Sequence, residues 1–383
     1  MIDYIIIGAG LAGCVLAQNI ANKLDKKVLI IEKRNHIGGN CFDYKDENNI
    51  LIHKYGPHLF HTDNREVVEY LSQFTSWDIY NHEVLAYIDG KKVSIPFNFN
   101  TLYEVFPESK AKALEDKLLQ NYEYNLKIPI LELKKSEDKD LAFLADYIYD
   151  KVFVNYTAKQ WGMKPEEMDT AVTARVPVFI GRDNRYFNDN YQMMPTNGYT
   201  KMIENMLNHP NIKIMINTDF KEVCSLENEQ FYLFDSKFDG KVIYTGQIDE
   251  LFDYKFGELP YRSVDMKFET VEKEFYQEKA TVNYPNDYEF TRITEFKHIH
   301  PTKSDKTTIL KEYPQEYKIG KNTPYYPIFT ATNQENYNRY LEYSKEFKNL
   351  VLVGRLAEYK YYDMDDIIKR ALEVFDKEIY EQN

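Results

Sequence analysis

An apolar run, Tyr4-Ile5-Ile6-Ile7, passes directly into Gly8-Ala9-Gly10-Leu11-Ala12-Gly13, and this junction restricts the fold more than any other feature of the chain. Leu11, Val15, Leu16, Ile20 and Leu24 then recur at helical spacing, and Val28-Leu29-Ile30-Ile31 forms a second apolar strand ending on Glu32. Strands without polar alternation suit a sheet covered on both faces. Gly8 permits the tight turn, Gly10 lets the backbone approach a pyrophosphate, and Gly13 lets helix and strand pack closely. Leu11 and Ala12 open a helix whose first N–H groups favour an anion, and Glu32 can accept the ribose hydroxyls. Strand, glycines, helix, strand and acid in register within about thirty residues predict a dinucleotide site.

The next segment, Lys33-Arg34-Asn35-His36-Ile37-Gly38-Gly39-Asn40, carries a glycine pair that resembles the second FAD motif of glutathione-reductase-like flavoproteins. On the residues alone it is equally an ordinary glycine turn. No second G-x-G-x-x-G follows to hold NAD separately, so one tightly held FAD is expected. Further on, Val67, Val68 and Leu71 read as helix, and Val84–Ile88, Asp89-Gly90 and Lys91–Ile95 as a hairpin with a type I′ turn. From about Thr101 to Trp161 the pattern is helical, with Leu141, Leu144, Ala145, Ile148 and Val152 on one face. Strand signals resume over 212–216, 231–234, 241–246 and 263–268, and Leu350–Val353 is a last buried strand before a helix from about Met364 to Tyr380.

The expected fold class is therefore α/β: a discontinuous Rossmann-like FAD-binding domain, an inserted helical domain and an antiparallel sheet domain. The FAD-binding domain is assigned to 1–82, 205–246 and 340–383. The helical domain covers 99–172, and the sheet domain, which takes the substrate, covers 83–98, 173–204 and 247–339.

A net charge of −13 excludes general binding of nucleic acid or anionic membranes. A small dianion can still bind where arginines cluster within about 8 Å, the range of screening. The 33 Tyr and 23 Phe suit stacking on rings and bonding phosphate or sugar, although an AT-rich genome yields the same bias. Three widely spaced cysteines, Cys14, Cys41 and Cys224, with no signal-peptide pattern before Ile5, lead us to expect a reducing cytoplasm. No apolar run approaches the roughly 18 residues of a membrane span. His58 and His61 have H-x-x-H spacing, but no third ligand is nearby and no metal is expected.

Several segments together resemble the UDP-galactopyranose mutase family over nearly the whole chain. Besides the FAD opening they are Tyr55-Gly56-Pro57-His58-Leu59-Phe60-His61-Thr62, Asn155-Tyr156-Thr157-Ala158-Lys159-Gln160-Trp161, Ala174-Arg175-Val176-Pro177-Val178, and Asn184 to Phe187. They continue through Phe290-Thr291-Arg292-Ile293-Thr294-Glu295-Phe296-Lys297-His298, Pro324-Tyr325-Tyr326-Pro327, and Gly354-Arg355-Leu356 to Asp365. The resemblance implies that Arg175 and Arg292 hold a diphosphate, assisted by Tyr186, Tyr325 and Tyr361. Arginine's planar fork suits phosphate oxygens; an arginine alone would be a surface ion pair worth under about 1 kcal/mol. Tyr156 is implied to stack on uracil, with Phe153 beside it and Thr157 and Trp161 on the same wall. An aromatic set at helical spacing is otherwise plain core.

The resemblance further implies that Asp363 lines the substrate pocket, with a helix N-cap as its alternative role. His61 would shape the sugar pocket and count with the two arginines as catalytic. His58, Leu59, Arg355, Asp363 and Met364 would contact FAD alongside Gly39, Asn40 and Lys33. The stretch from Arg175 to Asn190 matches the family's mobile loop, in which Arg182 and Arg185 have no assigned role. The implied reaction interconverts UDP-galactopyranose and UDP-galactofuranose, with N5 of reduced FAD attacking the anomeric carbon. An NAD(P)H reductant and a homodimer follow from the resemblance too. The competing expectations are a flavin amine oxidase or desaturase, a flavoprotein without catalysis, and a mutase preferring the N-acetylated sugar.

Overall fold

The structure, a computed structural model, describes residues 2–162 and 177–381. The amino-terminal motif builds the centre of a five-stranded sheet, in the order Ile212–Met215, Val28–Ile31, Tyr4–Ile7, Lys241–Tyr244, Leu350–Leu352, all parallel. Burial on both faces explains the missing alternation. Ile6 packs into a core with the helices Leu11–Leu24 and Met364–Val374, while Ile5 and Ile7 face a second core containing Tyr244, Phe252 and Tyr340. From Tyr4–Ile7 the chain proceeds outward to Val28–Ile31 on one side and returns later as Lys241–Tyr244 on the other. The connections thus diverge at the carboxyl ends of these two strands, the position at which open α/β sheets bind ligands.

The second sheet has seven strands in the order Tyr326–Pro327, Tyr261–Val271, Thr307–Glu316, Arg292–Glu295, Thr281–Asn283, Val84–Ile88, Lys91–Ile95. It departs from the expected all-antiparallel pattern at one pairing, because Thr281–Asn283 runs parallel to Val84–Ile88. A parallel neighbour needs a long crossover, and the chain between Ile95 and Thr281 supplies it. The Asp89-Gly90 turn has φ of 49° and 83°, the positive pair that a type I′ hairpin demands.

A helical unit shares a core with the hairpin Val84–Ile95 of the second sheet. Asn98 and Thr101 form a reciprocal capping box at Phe99–Val105, and Asp138 caps Lys139–Ile148. Leu141, Leu144, Ala145, Ile148 and Val152 are all buried, as the helical spacing predicts. A π-helical turn over Tyr149–Phe153 then joins Lys139–Ile148 to the helix Val154–Trp161. Its wider turn changes which residues share a face. Phe153 falls into the helical core at 1% exposure, whereas Tyr156 and Thr157 are delivered to a cavity. The carboxyl-terminal helix also ends differently from expectation, with Met364–Val374 α-helical and Phe375–Tyr380 π-helical. Among the described residues no helix is long and apolar enough to cross a membrane.

Candidate active site

The first cavity occupies the crevice where the central strands diverge. Gly8, Gly10, Leu11, Ala12, Glu32, Lys33, Gly39, Asn40, His58, Arg355, Asp363 and Met364 all line it. Two glycines are required by close approach. A Cβ on Gly13 would lie 2.2 Å from the carbonyl oxygen of Gly8, so this residue packs helix on strand and stays off the cavity wall. Gly39 has φ of +56°, and a Cβ there would lie 2.8 Å from the Cα of Gly10. The helix that follows is capped by Gly10 with no side-chain acceptor, which leaves its amino-terminal N–H groups to an anion.

Glu32 does more than face a ribose. Its two oxygens accept the backbone N–H groups of Ala9 and Arg34, each at 2.8 Å, so the acid braces the glycine turn that it accompanies. Arg34 was not among the residues singled out from sequence. It donates to Asn40 Oδ1 at 3.0 Å and lies over the Tyr55 ring, yet among the described residues its Nη1 is buried without a partner. Gln247 Nε2, on the same cavity, is likewise unpartnered among the described residues. Orphaned donors of this kind call for an acceptor from a ligand or water. With the glycine cradle they fit a dinucleotide such as FAD, which Glu32, Arg34, Gly10 and Gly39 would hold at its ADP half.

A second cavity of about 550 Å³ adjoins the first. The two share His58, Tyr325, Arg355, Asp363 and Met364, so a group held in one borders a group held in the other. The second is lined by Leu59, His61, Tyr156, Thr157, Trp161, Tyr186, Arg292 and Tyr361 as well. Arg175 lies outside the described residues. Phe153, expected beside Tyr156, is the core side chain described above and is absent from this wall.

Arg292 opens the strand Arg292–Glu295, and its Nε donates to Glu312 Oε1 at 2.7 Å. The Glu312 side chain is only 2% exposed against 32% for the arginine, so the carboxylate backs a guanidinium that reaches the cavity. Burial opposes the Arg292 charge, but Glu312, with Tyr156 and Tyr186, more than offsets that cost and raises the pKa above its ordinary value. Tyr156 is pushed up to about 12 by burial and is a neutral phenol.

The histidines divide by environment. His61 Nδ1 sits 3.1 Å from Asp189 Oδ2, with its ring stacked on Phe187 at 3.6 Å. His58 lies 2.9 Å from the carbonyl oxygen of Gly56 through Nδ1, and burial lowers its pKa to about 4. The His58 backbone N–H donates to His53 Nδ1, and His53 in turn meets His300 through Nε2 atoms 3.0 Å apart. His82, also on the wall, is pushed down to about 3 by burial and by nearby Arg292, while its carbonyl accepts the Tyr186 N–H at 2.7 Å. His58 and His82 therefore present neutral imidazoles at pH 7.

Arg355 bonds the carbonyl oxygens of Tyr325 and Tyr362 and lies over the Tyr361 ring, tying the tyrosine segments together. Asp363 occupies the N-cap position of Met364–Val374, yet its side chain makes no capping bond, which leaves the carboxylate for the cavities it borders. Arg182 pairs with both oxygens of Glu115, and Arg185 with Asp183; neither lines the cavity. Glu312, His82, Phe187 and Tyr326 line it without having been singled out from sequence. Only the sheet register, which sets Arg292 opposite Glu312, discloses that pair.

The family model for UDP-galactopyranose mutase matches residues 151–361, and that for an NAD(P)-binding Rossmann-like domain matches residues 6–74. A dTDP-fucopyranose mutase of Escherichia coli is 35% identical, with 97% of each chain covered. A probable UDP-galactopyranose mutase of Klebsiella pneumoniae is also 35% identical, covering 98% of this chain and 94% of its own. The crystal structure of a reduced UDP-galactopyranose mutase shares the fold with a TM-score of 0.73 at 15% identity, covering 100% of this chain and 96% of that one. With matched sequence spanning both cavities, the chain belongs to the UDP-galactopyranose mutase family.

Proposed function

We propose that this chain interconverts the six-membered and five-membered ring forms of UDP-galactose. The observation that carries the reading is the meeting of the two cavities, with a carboxylate-backed arginine and tyrosine hydroxyls on the substrate side. The cofactor is FAD, which when bound and reduced supplies a nucleophilic nitrogen for the anomeric carbon, so a ring can change size with no net redox.

This chain's own residues bind and orient. Arg292 holds the diphosphate together with Arg175 and the hydroxyls of Tyr186, Tyr325 and Tyr361. Tyr156 offers its ring to the uracil, with Thr157 and Trp161 on the same wall. When the bond between sugar and diphosphate breaks, negative charge grows on the departing phosphate, and donors already fixed there stabilise it. His61, oriented by Asp189 and Phe187, borders the sugar. His58, a neutral imidazole, borders the flavin edge together with Leu59, Arg355, Asp363 and Met364. The reading includes a homodimeric cytoplasmic enzyme, an NAD(P)H-type reductant and supply of galactofuranose to surface glycans.

A second substrate is favoured by one observation, the equal identity to the Escherichia coli dTDP-fucopyranose mutase. Comparing kcat/KM for UDP-galactose, its N-acetylated analogue and dTDP-fucose, with oxygen uptake followed in parallel, separates the readings. We expect UDP-galactose to lead by about tenfold or more, as when a site bonds a hydroxyl that its competitor lacks, and no substrate-dependent oxygen uptake. A lead by dTDP-fucose would transfer the assignment to that sugar. Oxygen uptake would favour an amine-oxidase type of reaction.

A further inference from the structure

We propose that Lys159 is a positioning residue for nucleotide recognition, fastening the helix that carries Tyr156 to the hairpin loop that leads into Arg292. The inference rests on the nucleotide-sugar reading above. The Lys159 ammonium donates to three backbone carbonyl oxygens of one loop: Tyr284 at 3.0 Å, Asn286 at 2.9 Å and Tyr288 at 2.6 Å. Three donors thus meet three acceptors, and no carboxylate among the described residues forms an ion pair with it. A half-buried cation used in this way is a clasp between segments rather than a surface charge.

Two further bonds act along the same side of the helix. Asn155 Nδ2 donates to Asn286 Oδ1 at 2.9 Å, and Asn286 Nδ2 donates to the carbonyl oxygen of Lys151 at 3.0 Å. Asn155 and Lys159 are spaced by four residues and so share one side of the helix, a seam joined there by the Lys151 carbonyl, while Tyr156, Thr157 and Gln160 line the cavity. The clasped loop closes between the strands Thr281–Asn283 and Arg292–Glu295, where the Tyr284 N–H donates to the Thr291 carbonyl oxygen at 2.7 Å. Its last residue precedes Arg292. Through this seam the base-stacking wall and the phosphate anchor are held at one separation.

The far end of the helix is fixed by a second buried cation. Arg262, 6% exposed, donates to the carbonyl oxygens of Gln160 and Lys159, the carbonyls that a helix end leaves open. Gly162 follows in a left-handed conformation, and a Cβ there would lie 2.6 Å from Arg262 Nη1. The helix is therefore held at its side by its own Lys159 and at its end by Arg262 of the strand Tyr261–Val271. A nucleotide that must touch Tyr156 and Arg292 together senses any drift between them.

Lys159→Met in the full-length FAD-loaded protein tests this. We expect the Kd of UDP, measured by calorimetry, and the KM for UDP-galactose to rise about tenfold, equivalent to about 1.4 kcal/mol. The kcat, FAD content and visible spectrum should stay close to wild type. Lys159→Arg, which keeps a cation with several donors, should recover part of the affinity. A role in stability alone would lower Tm and leave UDP affinity of the folded protein unchanged, and that result overturns the proposal. If Lys159→Met does not fold, Asn155→Ala decides, since it loosens the same seam at an exposed position; unchanged UDP affinity there overturns it equally. Wild-type protein that fails to bind UDP would refute the nucleotide-sugar reading itself, a failure distinct from that of the clasp.

Discussion

Arg292→Ala is expected to lower kcat/KM by about a hundredfold to a thousandfold while the purified protein stays yellow. Losing a buried, charge-assisted contact to phosphate costs about 2–5 kcal/mol, and each 1.4 kcal/mol is tenfold. The same substitution strands Glu312, whose side chain is 2% exposed and bonds the Arg292 Nε at 2.7 Å. An uncompensated buried carboxylate costs about 3–5 kcal/mol of stability. The two consequences can be separated in one series. Arg292→Ala with Glu312→Gln should regain much of the stability in denaturant unfolding and none of the activity. Normal turnover in the single variant would remove Arg292 from the site. Activity restored in the double variant would make its loss a folding effect.

Gly39→Val is expected to yield protein without bound FAD, seen as loss of absorbance in the visible. The residue has φ of +56°, where a β-branched side chain is strained, and its Cβ would meet the Gly10 Cα at 2.8 Å. Both neighbours are backbone, so neither can rotate aside. Gly10 is also the cap of the helix that opens on the first cavity, so a shift there disturbs the cradle directly. Full FAD occupancy in this variant would contradict the assignment of the first cavity.

The nucleotide crevice was legible in the sequence because its requirements are local. The buried strands, the glycine turn and Glu32 lie within one short segment, and the structure keeps them together. The Asp89-Gly90 hairpin was legible for the same reason. Pairings across the second sheet were not. Arg292 could be singled out by its motif, but Glu312 stands opposite it only through strand register, and the parallel partnership of Thr281–Asn283 depends on a crossover of the whole helical unit.

The resemblance implies Phe153 beside Tyr156, but the structure puts Phe153, at the end of the π-helical turn, in the helical core and Tyr156 in the cavity. Arg34 went unnoticed because nothing in a Lys-Arg pair tells that one guanidinium nitrogen will be buried without a partner. For Asp363 the resemblance implies the substrate pocket, with a helix cap as the alternative; its side chain makes no capping bond, and it borders both cavities.

The central claim is that a flavin protein of this architecture rearranges a sugar ring instead of oxidising a substrate. Its most direct test is incubation of the purified yellow protein with UDP-galactofuranose, with and without dithionite, followed by chromatography of the nucleotide sugars. Conversion to UDP-galactopyranose is expected when the flavin is reduced, with little conversion when it is oxidised and no net consumption of reductant per turnover. No interconversion under reducing conditions, or stoichiometric oxidation of the sugar, would contradict it.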